Sequence, residues 1–226
     1  MKKDNYLLLV SKIKKSGSSI LVIGPLFFPK KVLLSTLKEH NPTLILFIDR
    51  GSQHLKNIPL KYKNRSLSVG DGDSCTDGKL DITLNPKKDF SDLDFVIDCI
   101  IKARSTNQIS ALGFCACHED SVREERYDHF LFNLGSFSKL SSKIDLALTV
   151  DQNFIFLPRG KNLLNFSGTF SIISLRNQKI KIYGDVEYSL KKWTNIHAIS
   201  SLGLSNIAFG NVIIENSLGL VLYKAF

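Results

Sequence analysis

The sequence predicts an α/β protein whose helix-covered parallel sheet is followed by a smaller all-β region. In the first part, extended segments alternate with segments of helical periodicity, which is typical of a parallel sheet covered on both faces. From about residue 144 onward, short extended segments follow one another without a helical segment between them. This change predicts an α/β domain over 1–143 and a β domain, a sandwich or a barrel, over 144–226.

The composition is that of a folded protein with one large domain or two small ones. Of the 226 residues, 43% are hydrophobic, which excludes a disordered chain because enough apolar surface is present to form a core. The formal net charge of +9 comes from lysines in scattered short clusters, so it indicates a solvated basic surface. The sequence shows no recognised nucleic-acid motif, so a nucleic-acid-binding module is the weakest functional alternative.

The apolar runs of the chain predict a cytoplasmic protein that does not associate with a membrane. The run over 6–10 is too short for a signal-peptide core, and the run over 20–28 is too short to span a bilayer. The cysteines are Cys75, Cys99, Cys115 and Cys117. They are expected to be reduced, and the 115–118 segment lacks the spacing and second ligand pair of a zinc site. We therefore expect this segment to end a strand with buried thiols.

Runs and periodicities predict the elements of the α/β region. Strands are expected over 20–23, 44–48, 66–69, 81–84 and 109–117. Helices are expected over 31–40, 90–101 and 127–140. In the second helix, Asp92 and Asp94 lie in the first turn, where the helix dipole favours negative charge. The expected apolar face of the third helix consists of Phe130, Leu131, Leu134 and Phe137.

Turn-forming residues divide the C-terminal region into short extended segments. Strands are expected over 145–150, 153–157, 162–166, 170–175, 179–182, 212–215 and 218–223. No segment of helical periodicity interrupts them, which supports the prediction of a small all-β domain.

Three aspartate-bearing motifs follow one another where predicted strands end and predicted helices begin. They are Gly70-Asp71-Gly72-Asp73-Ser74, Lys88-Asp89-Phe90-Ser91-Asp92, and Arg126-Tyr127-Asp128-His129 with Asn133 after it. In open α/β sheets, ligands collect at the carboxyl ends of the strands. Carboxylate oxygens are the ligands that Mg²⁺ prefers, and Mg²⁺ accompanies a triphosphate. The motifs therefore indicate a divalent-metal phosphate site.

Each motif taken alone also has a structural interpretation. Asp and Gly are common turn residues, so the first motif is compatible with a simple turn. The acids of the second motif could cap a helix and complement its dipole, and Asp128 could cap the next one.

Taken together, the motifs resemble those of the thiamine pyrophosphokinases. The matching segments follow in the order of that family over 49–51, 70–74, 88–92, 126–133 and 201–206. The resemblance implies a Rossmann-like α/β catalytic domain, a C-terminal β-sandwich, and a homodimer with active sites between the subunits. It also implies Mg²⁺-dependent transfer of a pyrophosphoryl group from ATP to thiamine, which gives thiamine diphosphate and AMP.

The resemblance suggests roles for individual residues. The catalytic residues would be Asp71, Asp73, Asp89, Asp92 and Asp128. Of these, Asp71, Asp73 and Asp92 would bind the metal. The residues that would contact ATP are Asp49, Arg50, Ser52, Ser74, Lys88, Arg126, His129 and Asn133. Thiamine would lie near Ser201, Ser205 and Asn206. Trp193 would also contact thiamine, because cations favour the faces of tryptophan rings. The alternative is that Trp193 is a core aromatic of the β domain.

Two segments depart from the pattern of the family. Arg50 stands where the family has a small residue, and a charged segment over 118–125 replaces a glycine-rich stretch. Two alternatives therefore stay open: the same reaction on another hydroxymethyl heterocycle such as a pterin, and a ligand-binding homologue without turnover.

Overall fold

Parallel strands alternate with helices in the first part of the chain, and antiparallel strands form the second part. The computed structural model describes residues 3–72, 80–115 and 127–225. They divide into two units, Met1–Ser136 and Phe137–Phe226. This division falls within one helix, Tyr127–Ile144, and the predicted boundary after residue 143 lies near the end of the same helix. The mixed α/β class is confirmed, whereas the Rossmann-like and β-sandwich assignments stay predictions.

The described strands of the first unit form a parallel sheet. The elements are α1 (Lys3–Ser16), β1 (Ser19–Ile23), α2 (Lys30–His40), β2 (Leu44–Ile48), a 3₁₀ helix (Asp49–Asn57), α3 (Leu60–Lys63), β3 (Ser66–Gly70), β4 (Ile82–Thr83), α4 (Asp92–Ala103), β5 (Gln108–Leu112) and α5 (Tyr127–Ile144). The strands lie in the order β5-β1-β2-β3-β4. All five residues of β2 are buried, as expected of a parallel strand whose two faces are both covered.

Local sequence explains the beginning of α4. The Ser91 hydroxyl accepts a hydrogen bond from the backbone amide of Asp94 at 3.0 Å, which satisfies one of the free amides of the first turn. Asp92 and Asp94 both lie in that turn, which confirms the prediction. Most of the rest of the helix is buried, including Val96 and Ile100, which follow Asp92 at intervals of four residues.

In the first unit, one helix was missed and two predictions were wrong in part. Helix α1 was not predicted, although Leu9 and Ile13 are buried at helical spacing. Strand β5 ends at Leu112 and does not continue to residue 117, because Gly113 turns the chain with φ of 80°. On α5, Leu131 is 62% exposed and does not belong to the buried face.

The second unit consists of antiparallel strands. They are β6 (Leu148–Val150), β7 (Phe154–Leu157), β8 (Gly160–Ile173), β9 (Gln178–Val186), β10 (Leu190–Ile196), β11 (Asn206–Asn216) and β12 (Leu220–Lys224), with a short 3₁₀ helix (Ser201–Gly203) before β11. The described strands lie in the order β10-β9-β11-β8-β12-β7-β6. Their core is apolar and contains Phe170, Ile182, Val212 and Leu222.

Several strands of this unit differ from the prediction. Strands β9 and β11 extend well beyond the predicted segments 179–182 and 212–215. The segments over 162–166 and 170–175 belong mainly to one continuous strand, β8, which passes through Gly168 at φ of 121°. Strand β10 was not predicted, because its sequence Leu-Lys-Lys-Trp-Thr-Asn-Ile is mostly polar and shows no regular alternation.

Cys99 and Cys115 are buried free thiols, as expected, while Cys75 and Cys117 lie outside the described residues. Among the described helices, none has the length and apolar character needed to cross a membrane.

Candidate metal and phosphate site

Three carboxylates converge at the carboxyl ends of neighbouring parallel strands. Asp49 follows β2 and Asp71 follows β3, and the register of these two strands pairs Ile48 with Val69. Asp92 begins α4. One carboxylate oxygen of each aspartate lies within 4.8 Å of the others. We call Asp49, Asp71 and Asp92 the carboxylate cluster.

Two motif glycines allow the backbone to come together beneath this cluster. A Cβ atom on Gly70 would lie 3.0 Å from the Cα of Asp49, and one on Gly51 would lie 2.3 Å from the carbonyl oxygen of Ile23. Asp49 itself has a left-handed backbone with φ of 49°, which aspartate tolerates better than most residues. The glycines next to the acids therefore serve the close packing that brings Asp49 beside Asp71.

Lys88 places its ammonium group between two members of the carboxylate cluster. Its Nζ donates a hydrogen bond to Oδ2 of Asp71 at 2.6 Å. The same atom lies 3.0 Å from Oδ1 of Asp92, a contact that is an ion pair without hydrogen-bond geometry. All three side chains are only 10–13% exposed. Solvent therefore screens these charges much less than it screens surface pairs.

The pKa values of Lys88 and Asp92 are both raised, and in each case burial acts together with the charges of neighbouring side chains. Burial lowers the pKa of Lys88, but the contacts with Asp71 and Asp92 outweigh it, so the pKa is raised. Burial raises the pKa of Asp92, and the opposing effect of Lys88 does not cancel it because Asp71 and Asp49 add repulsion. The cluster therefore favours additional positive charge.

The carboxylate cluster fits the ligand requirements of Mg²⁺. Two oxygens bound to the same Mg²⁺ lie at most about 4.2 Å apart, since each Mg–O distance is about 2.1 Å. The 4.8 Å spread of the oxygens in the cluster is close to this limit. Hard oxygen donors from one to three carboxylates are also the expected protein share of a magnesium shell that keeps water and phosphate oxygens. Among the described residues, Asp49, Asp71 and Asp92 could thus hold the metal.

The two acids flanking Asp92 behave differently from it. Asp89 is exposed and does not belong to the carboxylate cluster, although it lines a cavity of about 620 Å³ with Lys88 and Phe90. Asp94 accepts a hydrogen bond from the Ser136 hydroxyl at 2.7 Å and bonds with the helix cap Ser91. The capping interpretation therefore applies to Asp94, whereas Asp92 faces Lys88.

Asp49 was assigned to ATP rather than to the metal group, although the sequence contained the signal for a closer role. It ends a buried strand, as Asp71 does, and parallel strand ends meet at one edge of a sheet. Arg50 and Ser52 follow it in the 3₁₀ helix and are half-buried. Asp73, Ser74 and Arg126 lie outside the described residues.

The polar residues of α5 do not form one group. Asp128 and His129 are exposed in the first turn of the helix. Asn133 is half-buried, and its side-chain amide donates a hydrogen bond to the carbonyl oxygen of Phe114 at 2.9 Å. Asn133 thus ties the helix to the segment that follows β5.

His54 makes packing contacts in the first unit that were not predicted from the sequence. Its ring stacks on Phe28 with a centroid distance of 4.1 Å, and its Nε2 lies 3.3 Å from the carbonyl oxygen of Leu26. Burial lowers the pKa of His54, and the nearby carbonyl only partly opposes this effect.

In the second unit, Trp193 is 49% exposed on β10, so the alternative of a core aromatic is wrong. The Nζ of Lys181 lies 4.8 Å from the centroid of its ring. Ser201 and Ser205 are also exposed, and Ser205 has a left-handed backbone with φ of 57°.

Asn206 is buried and its side chain is engaged with the backbone. Its Oδ1 accepts hydrogen bonds from the amides of Tyr188 and Ile207 at 3.0 and 2.8 Å. Its Nδ2 donates to the carbonyl oxygen of Tyr188 at 2.7 Å. The side chain therefore fixes the connection between β9 and β10, and any effect of Asn206 on a ligand would pass through that connection.

No protein-family model and no curated protein sequence matches this chain. Solved structures match it over most of its length. Thiamine pyrophosphokinase from Bacillus subtilis has a TM-score of 0.68 at 18% identity, with coverage of 92% of this chain and 99% of that one. The enzyme from Geobacillus thermodenitrificans has a TM-score of 0.67 at 18% identity, with coverage of 92% and 97%.

A fungal structure extends the similarity. Thiamine pyrophosphokinase from Candida albicans has a TM-score of 0.65 at 14% identity, with coverage of 90% of this chain and 88% of that one. The resemblance inferred from the motifs is therefore supported by structure, and this chain has the fold of the thiamine pyrophosphokinases.

Proposed function

We propose that this protein transfers a pyrophosphoryl group from ATP to thiamine in a Mg²⁺-dependent reaction, giving thiamine diphosphate and AMP. The observation that carries the proposal is the convergence of Asp49, Asp71 and Asp92, two of which pair with Lys88, in a chain with the thiamine pyrophosphokinase fold. The Rossmann-like and β-sandwich assignments, the boundary after residue 143 and the cytoplasmic location belong to the same proposal.

The proposed reaction needs positioning and charge neutralisation more than covalent chemistry by the protein. The hydroxyl oxygen of thiamine attacks the β-phosphorus of ATP, the bond from that phosphorus to the oxygen of AMP breaks, and the hydroxyl proton passes to a carboxylate. Asp128 is our candidate for this acceptor, because it is exposed and lies outside the carboxylate cluster. Bound Mg²⁺ would supply charge neutralisation at the phosphate oxygens.

The residues of the chain would divide the remaining tasks. Asp49, Asp71 and Asp92 would hold the metal, and the amino-terminal end of α4 would favour the negative charge of the phosphates. Further contacts to ATP are proposed for Arg50, Ser52, Ser74, Lys88, Arg126, His129 and Asn133. Asp73 and Asp89 keep their proposed roles in catalysis.

For thiamine, we propose contacts with the exposed residues Trp193, Ser201 and Ser205 and a positioning role for Asn206. An exposed tryptophan face attracts cations, and thiamine carries a positive thiazolium ring. Lys181 lies over the same ring, so the lysine would have to move away for thiamine to stack there.

A homodimer is also part of the proposal. Leu163 and Ile213 oppose each other on β8 and β11, and Phe209 lies on the same face of the sheet because side chains alternate along a strand. Leu163 and Phe209 are both exposed in the single chain. Exposed apolar residues grouped on one face support burial against a second copy. Sedimentation of a monomer at micromolar concentration would contradict the dimer without affecting the proposed reaction.

The direct test is an assay of AMP release from ATP with thiamine, with and without Mg²⁺. We expect thiamine diphosphate and AMP in equal amounts, and no product after removal of Mg²⁺ with a chelator. In Asp92→Asn, turnover should fall about a hundredfold or more, since charge stabilisation by a bound metal is worth several kcal/mol. Asp98→Asn changes an exposed acid on the same helix and should be active.

Three other outcomes would redirect the assignment. Product from a hydroxymethylpterin but not from thiamine would keep the reaction and change the acceptor. Calorimetric binding of thiamine and ATP without AMP release would indicate a binding protein. Full turnover in Asp92→Asn would remove the carboxylate cluster from the mechanism.

A further inference from the structure

The buried ammonium group of Lys88 occupies the place in the carboxylate cluster where positive charge is needed. We propose that Lys88 is a built-in counter-cation that pairs with Asp71 and Asp92 in the metal-free protein and leaves them when a divalent cation binds. Lysine and metal then compete for the same carboxylates. This inference rests on the proposed function only in taking the carboxylate cluster as the metal site.

The distances make simultaneous occupation unfavourable. Nζ of Lys88 lies 2.6 Å from Oδ2 of Asp71 and 3.0 Å from Oδ1 of Asp92. A magnesium-sized ion bound to either oxygen, at about 2.1 Å, would lie within about 5 Å of that ammonium group. Like charges at this separation repel strongly where the side chains are largely shielded from water.

The metal-free protein has a reason to keep the lysine in place. Three aspartates whose oxygens lie within 4.8 Å of one another repel when ionised, and their side chains have little access to screening water. One lysine offsets part of this repulsion and leaves the cluster net negative. The lysine therefore keeps the three carboxylates close together, but it neutralises only part of their negative charge.

The surroundings of Lys88 also allow it to move. The residue precedes α4 and is not held in a helix, and its flexible four-carbon stem can redirect the ammonium group. The cavity of about 620 Å³ is lined by Lys88 together with Asn85, Lys87 and Phe90, so there is open space next to Lys88. A displaced ammonium group would move into this space, away from the metal, and would be available there to a phosphate oxygen.

Manganese binding to three proteins tests the competition. Mn²⁺ affinity would be measured by electron paramagnetic resonance for the wild type, Lys88→Met and Lys87→Met. Lys87 is the neighbouring lysine, it is exposed, and its replacement removes the same charge from the chain. We expect Mn²⁺ to bind at least about tenfold more tightly to Lys88→Met, the lower end of the effect that a close charge has on proton binding by a carboxylate. Lys87→Met should bind like the wild type.

Equal or weaker binding to Lys88→Met than to the wild type would overturn the inference. Asp71→Asn separates this failure from that of the proposed function. If Asp71→Asn loses affinity while Lys88→Met equals the wild type, the metal site stands and only the role of Lys88 is wrong. If Asp71→Asn binds Mn²⁺ normally, the carboxylate cluster is not the site and both ideas fail.

A measurement on the wild type keeps the inference testable if Lys88→Met does not fold. Reductive methylation followed by peptide mass spectrometry would report the reactivity of each lysine with and without Mn²⁺. The ion-paired Lys88 should react slowly in the metal-free protein and faster when Mn²⁺ is present, whereas Lys87 should react equally in both. Unchanged or lower reactivity of Lys88 with Mn²⁺ would contradict displacement.

Discussion

In each of the two units of this protein, a lysine lies against a group that attracts cations: a set of carboxylates in the first and a tryptophan ring in the second. The two lysines differ in burial. Lys88 lies among the carboxylates of the first unit with its side chain 10% exposed. Lys181 lies over the ring of Trp193 in the second unit, with its side chain 24% exposed and 3.6 Å from Glu215. Water therefore screens the charge of Lys181 more than that of Lys88. The interactions of Lys88 with its partners should accordingly contribute more free energy than those of Lys181.

The difference follows from the kind of sheet in each unit. Parallel strands are covered on both faces, so the residues at their ends meet in a sheltered place. An antiparallel sheet can leave one face in water, and Trp193 and Phe209 are exposed in this unit. Single substitutions should therefore have large effects on ligand binding in the first unit and smaller ones in the second.

The largest effect is expected for Asp71→Asn, which removes a carboxylate from the cluster and leaves Lys88 with fewer partners. Mn²⁺ affinity should fall at least about a hundredfold, since a ligand worth several kcal/mol is lost. Titration calorimetry would measure it, with Asp98→Asn as the matched control. A loss of Mn²⁺ affinity of less than about tenfold would show that metal binding depends little on Asp71. Substitutions in the buried site would then have no larger effects than those in the exposed unit.

A structural effect of intermediate size is expected for Asn206→Ala. The change removes the buried side chain that binds the amide and carbonyl oxygen of Tyr188, and it leaves both groups without that partner. The free energy of unfolding should fall by about 1–3 kcal/mol, as measured by urea denaturation.

The control for this change is Asn195→Ala, because Asn195 is exposed on β10. It should change the stability by less than about 0.5 kcal/mol. Affinity of the first unit for Mn²⁺ should be the same in both variants. If Asn206→Ala were as stable as the wild type, the assigned hydrogen bonds would contribute little.

Smaller effects are expected at the exposed ring of the second unit. Trp193→Ala should weaken thiamine binding about two- to fivefold, since a cation–π contact at an exposed site is worth about 0.5–1 kcal/mol. Lys181→Met should act in the opposite direction, because it removes the cation that already covers the ring. Equilibrium dialysis with labelled thiamine would measure both, and Phe132→Ala is the control for loss of an exposed aromatic. Equal losses in Trp193→Ala and Phe132→Ala would exclude a specific role for Trp193.

The smallest effect is a pH dependence at His54. Burial lowers the pKa of this ring in the folded state, so the unfolded chain takes up the proton first as the pH falls. The contribution of His54 to stability is therefore complete above its ordinary pKa of about 6.5 and is lost as the pH decreases toward the folded-state pKa. His54→Phe keeps a ring against Phe28 but cannot take up a proton. Its stability should therefore decrease less than that of the wild type as the pH falls. Urea midpoints that fall in parallel for both proteins between about pH 7 and 5 would contradict the assignment.

Part of the fold could be predicted because it depends on neighbours along the chain. Strand β2 has the predicted bounds, since a short run of apolar residues is bounded by turn-forming residues. The first turn of α4 was predicted to within two residues, because Asp92 and Asp94 stand where a helix dipole favours acids. Strand β10 and the continuity of β8 could not be predicted, because their pairing with β9 and β11 adds stability that their own sequences do not display.

For the candidate site, the sequence alone determined which residue types stand at the strand ends and helix start, and hence that acids would gather at one edge of a parallel sheet. Only the tertiary structure decided that Asp49 joins Asp71 and Asp92, that Asp89 stays in water, and that Lys88 lies among the acids. The reason is that segment order and local conformation follow from nearby residues, whereas the distance between charges depends on how closely separate segments pack. Here that closeness depends on the missing side chains of Gly51 and Gly70, whose effect appears only when the strands are side by side.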